Sequence, residues 1–178
     1  MHMGLTNLGG TLSGSEKTMT IKVGDTIPSM KLMMATADGP KEVSTDDLFK
    51  GKKVVLFAVP GAFTPTCSAK HLPGFVQHAG DFKAKGVDTI ACIAVNDAFV
   101  MGAWGKEQGT GGKVEMLADG SAMFAKALGL EMDITARGMG VRSQRYALVA
   151  QDGKVTHLGV EAPGGFEASK AETILAAL

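Results

Sequence analysis

The fold is decided by the stretch VVLFAVPGAFTPTCSAKHLPGF, residues 54–75. Its first six residues are all apolar, too few for a helix and too uniform for a strand with one wet face, so they predict a central strand buried on both faces. The run TIACIAV, residues 89–95, has the same character and predicts a parallel neighbour. Residues 67–85 between them predict the crossover helix, which Pro73 should kink. Cys67 therefore lies at a strand-to-helix junction.

Weaker patterns complete a single α/β domain over residues 19–178, in which helices cover both faces of a central mixed, mostly parallel sheet. Asp152-Gly153 is a strong hairpin signal and should join two strands as an antiparallel pair at one end of that sheet. The predicted elements beyond the first two strands are a helix capped by Asn96-Asp97 and running to about Trp104, a strand at 114–117, a helix capped by Ser121, strands at 146–149 and 155–160, and a closing helix at 168–178.

The helical patterns also predict which side chains are buried. Phe99 and Trp104 should pack in the core. The helix after Ser121 carries four apolar residues that should share its inner face, namely Met123, Phe124, Ala127 and Leu128.

Composition narrows the class of protein. The 178 residues suffice for one domain with a substantial core. The 18 basic and 18 acidic residues cancel and are spread along the chain, so we expect no nucleic-acid partner and no anionic membrane surface. No stretch approaches the roughly 20 apolar residues that a membrane span requires.

The two cysteines, Cys67 and Cys92, form no Cys-x-x-Cys and no His/Cys cluster with zinc-like spacing. We therefore expect neither a metal nor an organic cofactor. Two thiols without a signal peptide favour a reducing, cytoplasmic setting. Residues 1–18, rich in Gly, Ser and Thr, are predicted to be a disordered tail or a cloning remnant, with Met19 as the natural start. The alternative is a short targeting sequence, against which the tract's lack of arginine speaks.

Cys67 has the placement of a reactive thiol. A thiol attacks as the thiolate, and the first turn of a helix favours that anion through free backbone N–H groups and the helix dipole. The preceding loop contains two prolines that restrict its backbone, and Thr64 offers a hydroxyl three residues before the sulfur. Such a loop can hold hydrogen-bond donors around a small oxygen-containing ligand.

The string PGAFTPTCSAKHLPGF, residues 60–75, resembles the active-site loop of the peroxiredoxins, in particular their type II or type 5 branch. VNDAFV at residues 95–100 and RSQRY at 142–146 are similar to the same branch. The resemblance covers roughly Ile21 to Leu178, and agreement in three separated segments makes it specific.

This resemblance implies a thioredoxin-like fold and a peroxidase in which Cys67 attacks hydrogen peroxide or an alkyl hydroperoxide and becomes a sulfenic acid. Thr64 and one arginine would complete the site, and Pro60 would shield the sulfur from water. Arg145, directly before a predicted strand, is the preferred arginine on this alignment, and Arg142 is its competitor. Family members commonly form homodimers through loops near the active site, so we expect the same here.

The thiol that would resolve the sulfenic acid is less clearly marked. Cys92 lies in the middle of an apolar run, where a free cysteine usually acts as a small buried hydrophobe. Some type 5 relatives carry a resolving cysteine near the C-terminus, but this chain has Ala168-Ser169 in that region. The departure favours a one-cysteine cycle with glutathione, glutaredoxin or thioredoxin as reductant, while internal resolution by Cys92 stays open.

Three other functions are compatible with parts of the sequence. His71 lies one helical turn from Cys67 and His78 lies further along, which invites a Cys–His hydrolase, but an orienting residue and an oxyanion pocket are not evident. A general thiol–disulfide oxidoreductase normally has Cys-x-x-Cys, whereas here Cys67 is followed by Ser68-Ala69-Lys70. A redox sensor would keep the reactive thiol and pass its oxidation to a protein partner.

Overall fold

The computed structural model describes residues 20–178, and the predicted tail at residues 1–18 lies outside that range. The strands are β1 Lys31–Thr36, β2 Gly39–Ser44, β3 Lys53–Val59, β4 Thr89–Ala94, β5 Glu115–Ala118, β6 Glu131–Asp133, β7 Val141–Ser143, β8 Tyr146–Gln151 and β9 Lys154–Val160. The α-helices are α1 Thr45–Phe49, α2 Leu72–Gln77, α3 Ala79–Ala84, α4 Ala98–Gln108, α5 Met123–Leu128 and α6 Ala171–Ala176. A π-helical turn, Cys67–His71, and a 3-10 turn, Thr135–Arg137, complete the elements.

Seven strands form one mixed sheet in the order β2-β1-β5-β4-β3-β8-β9, and β6 pairs with β7 separately. The predicted parallel pair is present, since β3 runs parallel to β4 with Phe57 opposite Cys92. The β4–β5 pair is also parallel, but the other four pairings of the large sheet are antiparallel. The expectation of a mostly parallel sheet was therefore wrong outside the three central strands β5, β4 and β3. Each of two hairpins, β1–β2 and β8–β9, adds a strand antiparallel to that centre and a second strand antiparallel to the first.

The β8–β9 hairpin lies at one end of the sheet, as predicted. Its turn residues Asp152 and Gly153 both have positive φ, 52° and 80°. Positive φ at both central positions is the geometry of a type I′ turn, which matches the twist of the strands.

Helices cover both faces of the sheet, as the α/β prediction required. On one face the Cys67 segment, α4 and α6 pack over inward side chains that include Phe57 and Cys92. On the other face α1 and α5 pack over a second layer that includes Leu56 and Leu148. The alternation of side chains along β3 thus feeds two cores, which explains why its sequence is apolar throughout.

The crossover from β3 to β4 is helical but not continuous. The Leu72 N–H donates to the Cys67 carbonyl across five residues, which widens the first turn directly before Pro73, whose ring nitrogen has no hydrogen to donate. The helix breaks again at His78, which separates α2 from α3. Instead of the single kink expected at Pro73, the crossover has a widened turn before Pro73 and a break after it, at His78.

Two expectations about the helices were wrong. Phe99 is 75% exposed, although Trp104 on the same helix is buried as predicted. Ser121 does not cap α5, because the N-cap residue is Ala122, and the first N–H groups of the helix, those of Phe124 and Ala125, donate to the Asp119 carboxylate at 2.9 Å each.

This cap also changes the buried face of α5. The side chains of Phe124, Ala125 and Leu128 face the core, while Met123 and Ala127 are exposed. The closing helix α6 is shorter than the predicted span 168–178.

Candidate active site

Cys67 lies in the first turns of the helical segment that opens at Pro65, directly after the loop that leaves β3. Apolar packing of β3 under this segment fixes the height of the sulfur above the sheet, since Cys67 and Phe57 belong to the same core layer. The side chain of Cys67 has an exposed fraction of 0%. The sulfur is thus held in a defined, water-excluded position.

The Thr64 hydroxyl is the nearest polar group to the sulfur on the loop. Its Oγ1 lies 2.9 Å from Cys67 Sγ and 2.7 Å from the Gly61 carbonyl oxygen. A hydroxyl has one hydrogen and two lone pairs. It can therefore donate to a thiolate, or donate to the Gly61 carbonyl while it accepts from a thiol.

Arg145 reaches the sulfur from the start of β8. Its Nη2 lies 3.2 Å from Cys67 Sγ. Arg142 does not contact the sulfur, because its Nη1 donates to the Pro60 carbonyl at 3.3 Å and its Nε to the Met139 carbonyl at 2.9 Å. Of the two candidate arginines, the structure places Arg145 at the thiol and gives Arg142 a place in bracing the loop.

His71, which the sequence placed one helical turn from Cys67, contacts Arg145 rather than the sulfur. Its ring is fully buried, Nδ1 lies 2.8 Å from Arg145 Nη1, and Nε2 lies 2.9 Å from the Ser169 carbonyl oxygen. Since an arginine only donates and a carbonyl only accepts, the neutral ring must carry its hydrogen on Nε2. Burial, and then the positive charge of Arg145, lower the pKa of His71 to about 3.

Two hydrogen bonds brace the Thr64 loop and the helical segment that follows it, and one loop residue has an unusual backbone conformation. The Ala62 N–H donates to Asn96 Oδ1 at 2.9 Å, the Trp104 indole N–H donates to Ser68 Oγ at 2.9 Å, and Phe63 has a positive φ of 64°. Positive φ costs a non-glycine residue energy that the surrounding contacts must supply. The loop is therefore held in one conformation from both sides.

Comparison with known proteins decides the family. A sequence model of the Redoxin family matches residues 22–175. The chain is 54% identical over 164 residues to a chloroplastic peroxiredoxin-2E-2 of Oryza sativa subsp. japonica, covering 89% of this chain and 73% of that protein. It is 50% identical over 159 residues to peroxiredoxin-2B of Arabidopsis thaliana, covering 89% and 98%. The chain belongs to the peroxiredoxins.

A solved structure supports the same assignment. Reduced Prx3 of Vibrio vulnificus in complex with hydrogen peroxide superposes with a TM-score of 0.85 at 57% identity, over 89% of this chain and 99% of that one. This peroxiredoxin is accordingly a thiol-dependent peroxidase with an antioxidant function and a thioredoxin-like fold. The resemblance read from three sequence segments is confirmed, as is the fold class.

A cavity of about 560 Å³ leads towards the thiol of this peroxiredoxin. Its wall includes Pro60 and Arg145, two of the predicted site residues, together with Lys70 and Phe166. Cys67 and Thr64 lie behind that wall and do not line the cavity. The sulfur is thus more completely covered than the shielding by Pro60 had suggested.

The structure argues against the Cys–His hydrolase alternative, because neither candidate histidine is placed to act as a base for Cys67. Both ring nitrogens of His71 are engaged by Arg145 and Ser169. His78 instead lies beside two surface carboxylates, 2.9 Å from Asp81 and 3.4 Å from Glu172. Neither histidine contacts the Cys67 sulfur.

Cys92 is a buried thiol in the centre of β4, unpaired with Cys67. Burial raises the pKa of the Cys92 thiol well above its usual range, with the nearby Cys67 as a second cause. A group that resists ionisation is a poor nucleophile near neutral pH.

No helix in residues 20–178 is long and apolar enough to cross a membrane. No group of three or more His, Cys, Asp or Glu side chains in that range is arranged to hold a metal ion.

Proposed function

We propose that Cys67 is the peroxidatic residue and that it reduces hydrogen peroxide and small alkyl hydroperoxides. The observation that carries this proposal is the convergence on its sulfur of two donors from different elements. Thr64 Oγ1 comes from the loop at 2.9 Å, and Arg145 Nη2, from the residue directly before β8, at 3.2 Å. Two converging donors are the arrangement needed to stabilise a thiolate and a departing oxygen.

The proposed step is a displacement on the O–O bond. The Cys67 thiolate attacks one oxygen, an S–O bond forms, and the O–O bond breaks with its electron pair on the departing oxygen. That oxygen takes a proton and leaves as water or an alcohol, while the sulfur, oxidised by two electrons, becomes a sulfenic acid. Arg145 would stabilise the thiolate and the developing charge, and Thr64 would donate to or accept from the peroxide.

Access to the sulfur needs a small displacement of the cavity wall, because Cys67 is fully buried. Pro60 and Arg145 separate the cavity from the thiol, so peroxide would enter between them. The same cover would keep larger oxidants and bulk water away from the sulfenic acid. Pro60 is proposed as the shield of the sulfur, as the resemblance implied.

For the second half of the cycle we propose an external thiol, with glutathione or glutaredoxin ahead of thioredoxin. One thiol would condense with the sulfenic acid to a mixed disulfide and water, and a second would release Cys67 as a thiol with a new disulfide as product. The buried, high-pKa Cys92 supports this assignment because it is not suited to attack.

Steady-state peroxide consumption tests the proposal. Wild type and Cys67→Ser are compared with hydrogen peroxide and either glutathione with glutaredoxin or thioredoxin with its reductase. We expect repeated turnover by wild type, faster with the glutathione system, and none by Cys67→Ser. A single stoichiometric burst with every reductant would support the redox sensor instead.

We also propose a homodimer that uses the loops near the active site. Phe63 on the active-site loop is 50% exposed and Phe99 at the start of α4 is 75% exposed, and both are large apolar side chains. The Phe63 ring lies 6.4 Å from that of Trp104, which places it against the same helix. Exposed aromatic residues are enriched at protein interfaces.

Sedimentation in the analytical ultracentrifuge measures the oligomeric state directly. Phe99→Ser should shift the protein towards the monomer, whereas Met123→Ser, at an exposed apolar residue of α5, should not. A wild type that sediments as a monomer at all concentrations would reject the dimer.

The proposed compartment is the cytoplasm, supported by two free cysteines, and cell fractionation would test it.

A further inference from the structure

The Arg145–His71 pair is closed into a ring of hydrogen bonds by the segment that follows β9. The Glu161 N–H donates to the Arg145 carbonyl at 3.0 Å. Arg145 Nη1 donates to His71 Nδ1 at 2.8 Å, and His71 Nε2 donates to the Ser169 carbonyl at 2.9 Å. Ser169 returns to Glu161, because its N–H and hydroxyl donate to Glu161 Oε2 at 2.7 and 2.6 Å. Glu161 thus holds the backbone of Arg145 and also Ser169, whose carbonyl in turn orients His71 beside the Arg145 guanidinium.

The Glu161 carboxylate also determines the shape of residues 161–169. It accepts the Glu167 N–H at 2.9 and 3.0 Å in addition to the two donors of Ser169. A carboxylate at the start of a turn that accepts several donors from the end of the same turn fixes that turn. Phe166, at its middle, lies with its ring 5.2 Å from that of His71 and 5.9 Å from Arg145 Cζ.

Gly159 provides independent evidence that this segment must lie close to the sheet. A Cβ added at Gly159 would collide with the Ala168 carbonyl oxygen and would lie 3.0 Å from the Ala168 carbonyl carbon. Only glycine at this position of β9 lets the backbone before Ser169 approach so closely. The Ser169 carbonyl is thereby brought within reach of the buried His71.

The ring keeps the charge of Arg145 available to the sulfur. The partner of Arg145 Nη1 is a neutral imidazole, while the anion of the ring is satisfied by Glu167 and Ser169 donors rather than by the guanidinium. An arginine paired directly with a carboxylate would have much of its field neutralised. In this protein the contact with His71 orients the Arg145 guanidinium without neutralising its positive charge.

We infer that Glu161 is a positioning residue for peroxide reduction, which acts through Ser169 and His71 to hold the Arg145 guanidinium against Cys67. This inference rests on the proposed function of Cys67. Glu161 lies in the turn directly after β9 and does not contact the sulfur, yet it would join the groups that determine the rate of Cys67 oxidation.

The test compares Glu161→Ala and Glu161→Gln with wild type, and uses Glu167→Ala as the matched control. Glu167 lies in the same turn, but its carboxylate is exposed and pairs with Lys170 at 3.1 Å, and only its backbone joins the network. Two readouts are taken: the rapid-mixing rate of Cys67 oxidation by hydrogen peroxide, and the pH profile of Cys67 alkylation by iodoacetamide, followed on the Cys67 peptide by mass spectrometry.

Glu161→Ala should slow oxidation about 10- to 100-fold, the range expected when a donor is displaced by a fraction of an ångström to 1 Å. Glu161→Gln keeps the shape but weakens the acceptor and should cost about five-fold. In both variants the alkylation profile should move to higher pH, because the thiolate loses an oriented cation. Glu167→Ala should stay within two-fold of wild type.

A merely structural role would lower the melting temperature and leave the alkylation profile in place, and that result would overturn the inference. Wild-type rates and profiles in both Glu161 variants would overturn it as well. If Glu161→Ala does not fold, Glu161→Gln decides the question alone. Failure of wild type itself to be oxidised at Cys67 would reject the proposed function, which separates the two claims.

Discussion

The buried His71 predicts a specific loss of stability in mild acid. The pKa of His71 is about 3 in the folded protein, lowered from 6.5 by burial first and by Arg145 second. Between these two values the unfolded chain binds a proton that the folded protein refuses. The free energy of unfolding therefore falls as the pH falls through that window, and the contribution is complete above pH 6.5.

The size of this loss in the free energy of unfolding depends on how far the pH is lowered below the unfolded-state pKa of His71. One pH unit below the unfolded pKa is worth about 1.4 kcal/mol, so lowering the pH from 7 to 5 should cost about 2 kcal/mol through His71 alone. A loss of that size is a large fraction of the stability of an ordinary domain. Protonation would also place a second cation against Arg145 and remove the acceptor that orients it.

The assay is urea unfolding at pH 7, 6 and 5 for wild type and His71→Gln. His78, whose pKa is raised by the Asp81 contact, and Asp119, whose pKa is raised by burial, also titrate, but they are common to both proteins. The difference between the two pH dependences therefore isolates His71. Wild type should lose about 2 kcal/mol more than the variant between pH 7 and 5. Parallel pH dependences would refute the reasoning.

Three further predictions follow from single contacts. Arg145→Ala should slow the reaction with hydrogen peroxide about 100-fold in rapid mixing. Arg142→Ala should slow the reaction less, because this substitution only releases the Pro60 carbonyl of the loop. The reverse order of the two effects would mean that Arg142, not Arg145, assists the thiol. Asp119→Ala should lower the free energy of urea unfolding by about 1–2 kcal/mol through loss of the α5 cap, and Asp119→Asn by less, whereas equal losses would argue against capping. Cys92→Ala should retain glutathione-supported turnover within about two-fold, and its collapse in a folded protein would reject the one-cysteine cycle.

Much of the fold was predictable because local pattern and burial agree. β3 and β4 are apolar at every inner position, and the Asp152-Gly153 turn encodes its hairpin in two residues. The strands β1 and β2 were not predicted, since most of their residues are exposed or half-buried and carry no comparable apolar signal. Asp119 rather than Ser121 accepts the first N–H groups of α5 because a positive φ at Ala122, which only the folded chain reveals, brings the earlier carboxylate over the helix start.

The site was predictable where its members are close in sequence. Thr64 and Cys67 are three residues apart in one loop, and resemblance placed Arg145 near them. His71 was noted for its position one turn from Cys67, but its contacts with Arg145 and Ser169 depend on tertiary structure. The role proposed for Glu161 could not be read from the chain, because it arises from a turn that only Gly159 allows to approach.

Although Cys67 is fully covered, we propose that it meets peroxide and is oxidised to a sulfenic acid. The most direct measurement is a brief exposure of the reduced protein to equimolar hydrogen peroxide with dimedone present, followed by peptide mass spectrometry. We expect the label to appear on the Cys67 peptide within seconds, to stay absent from the Cys92 peptide, and to be largely lost in Arg145→Ala. An unlabelled Cys67 in the folded wild-type protein would contradict it.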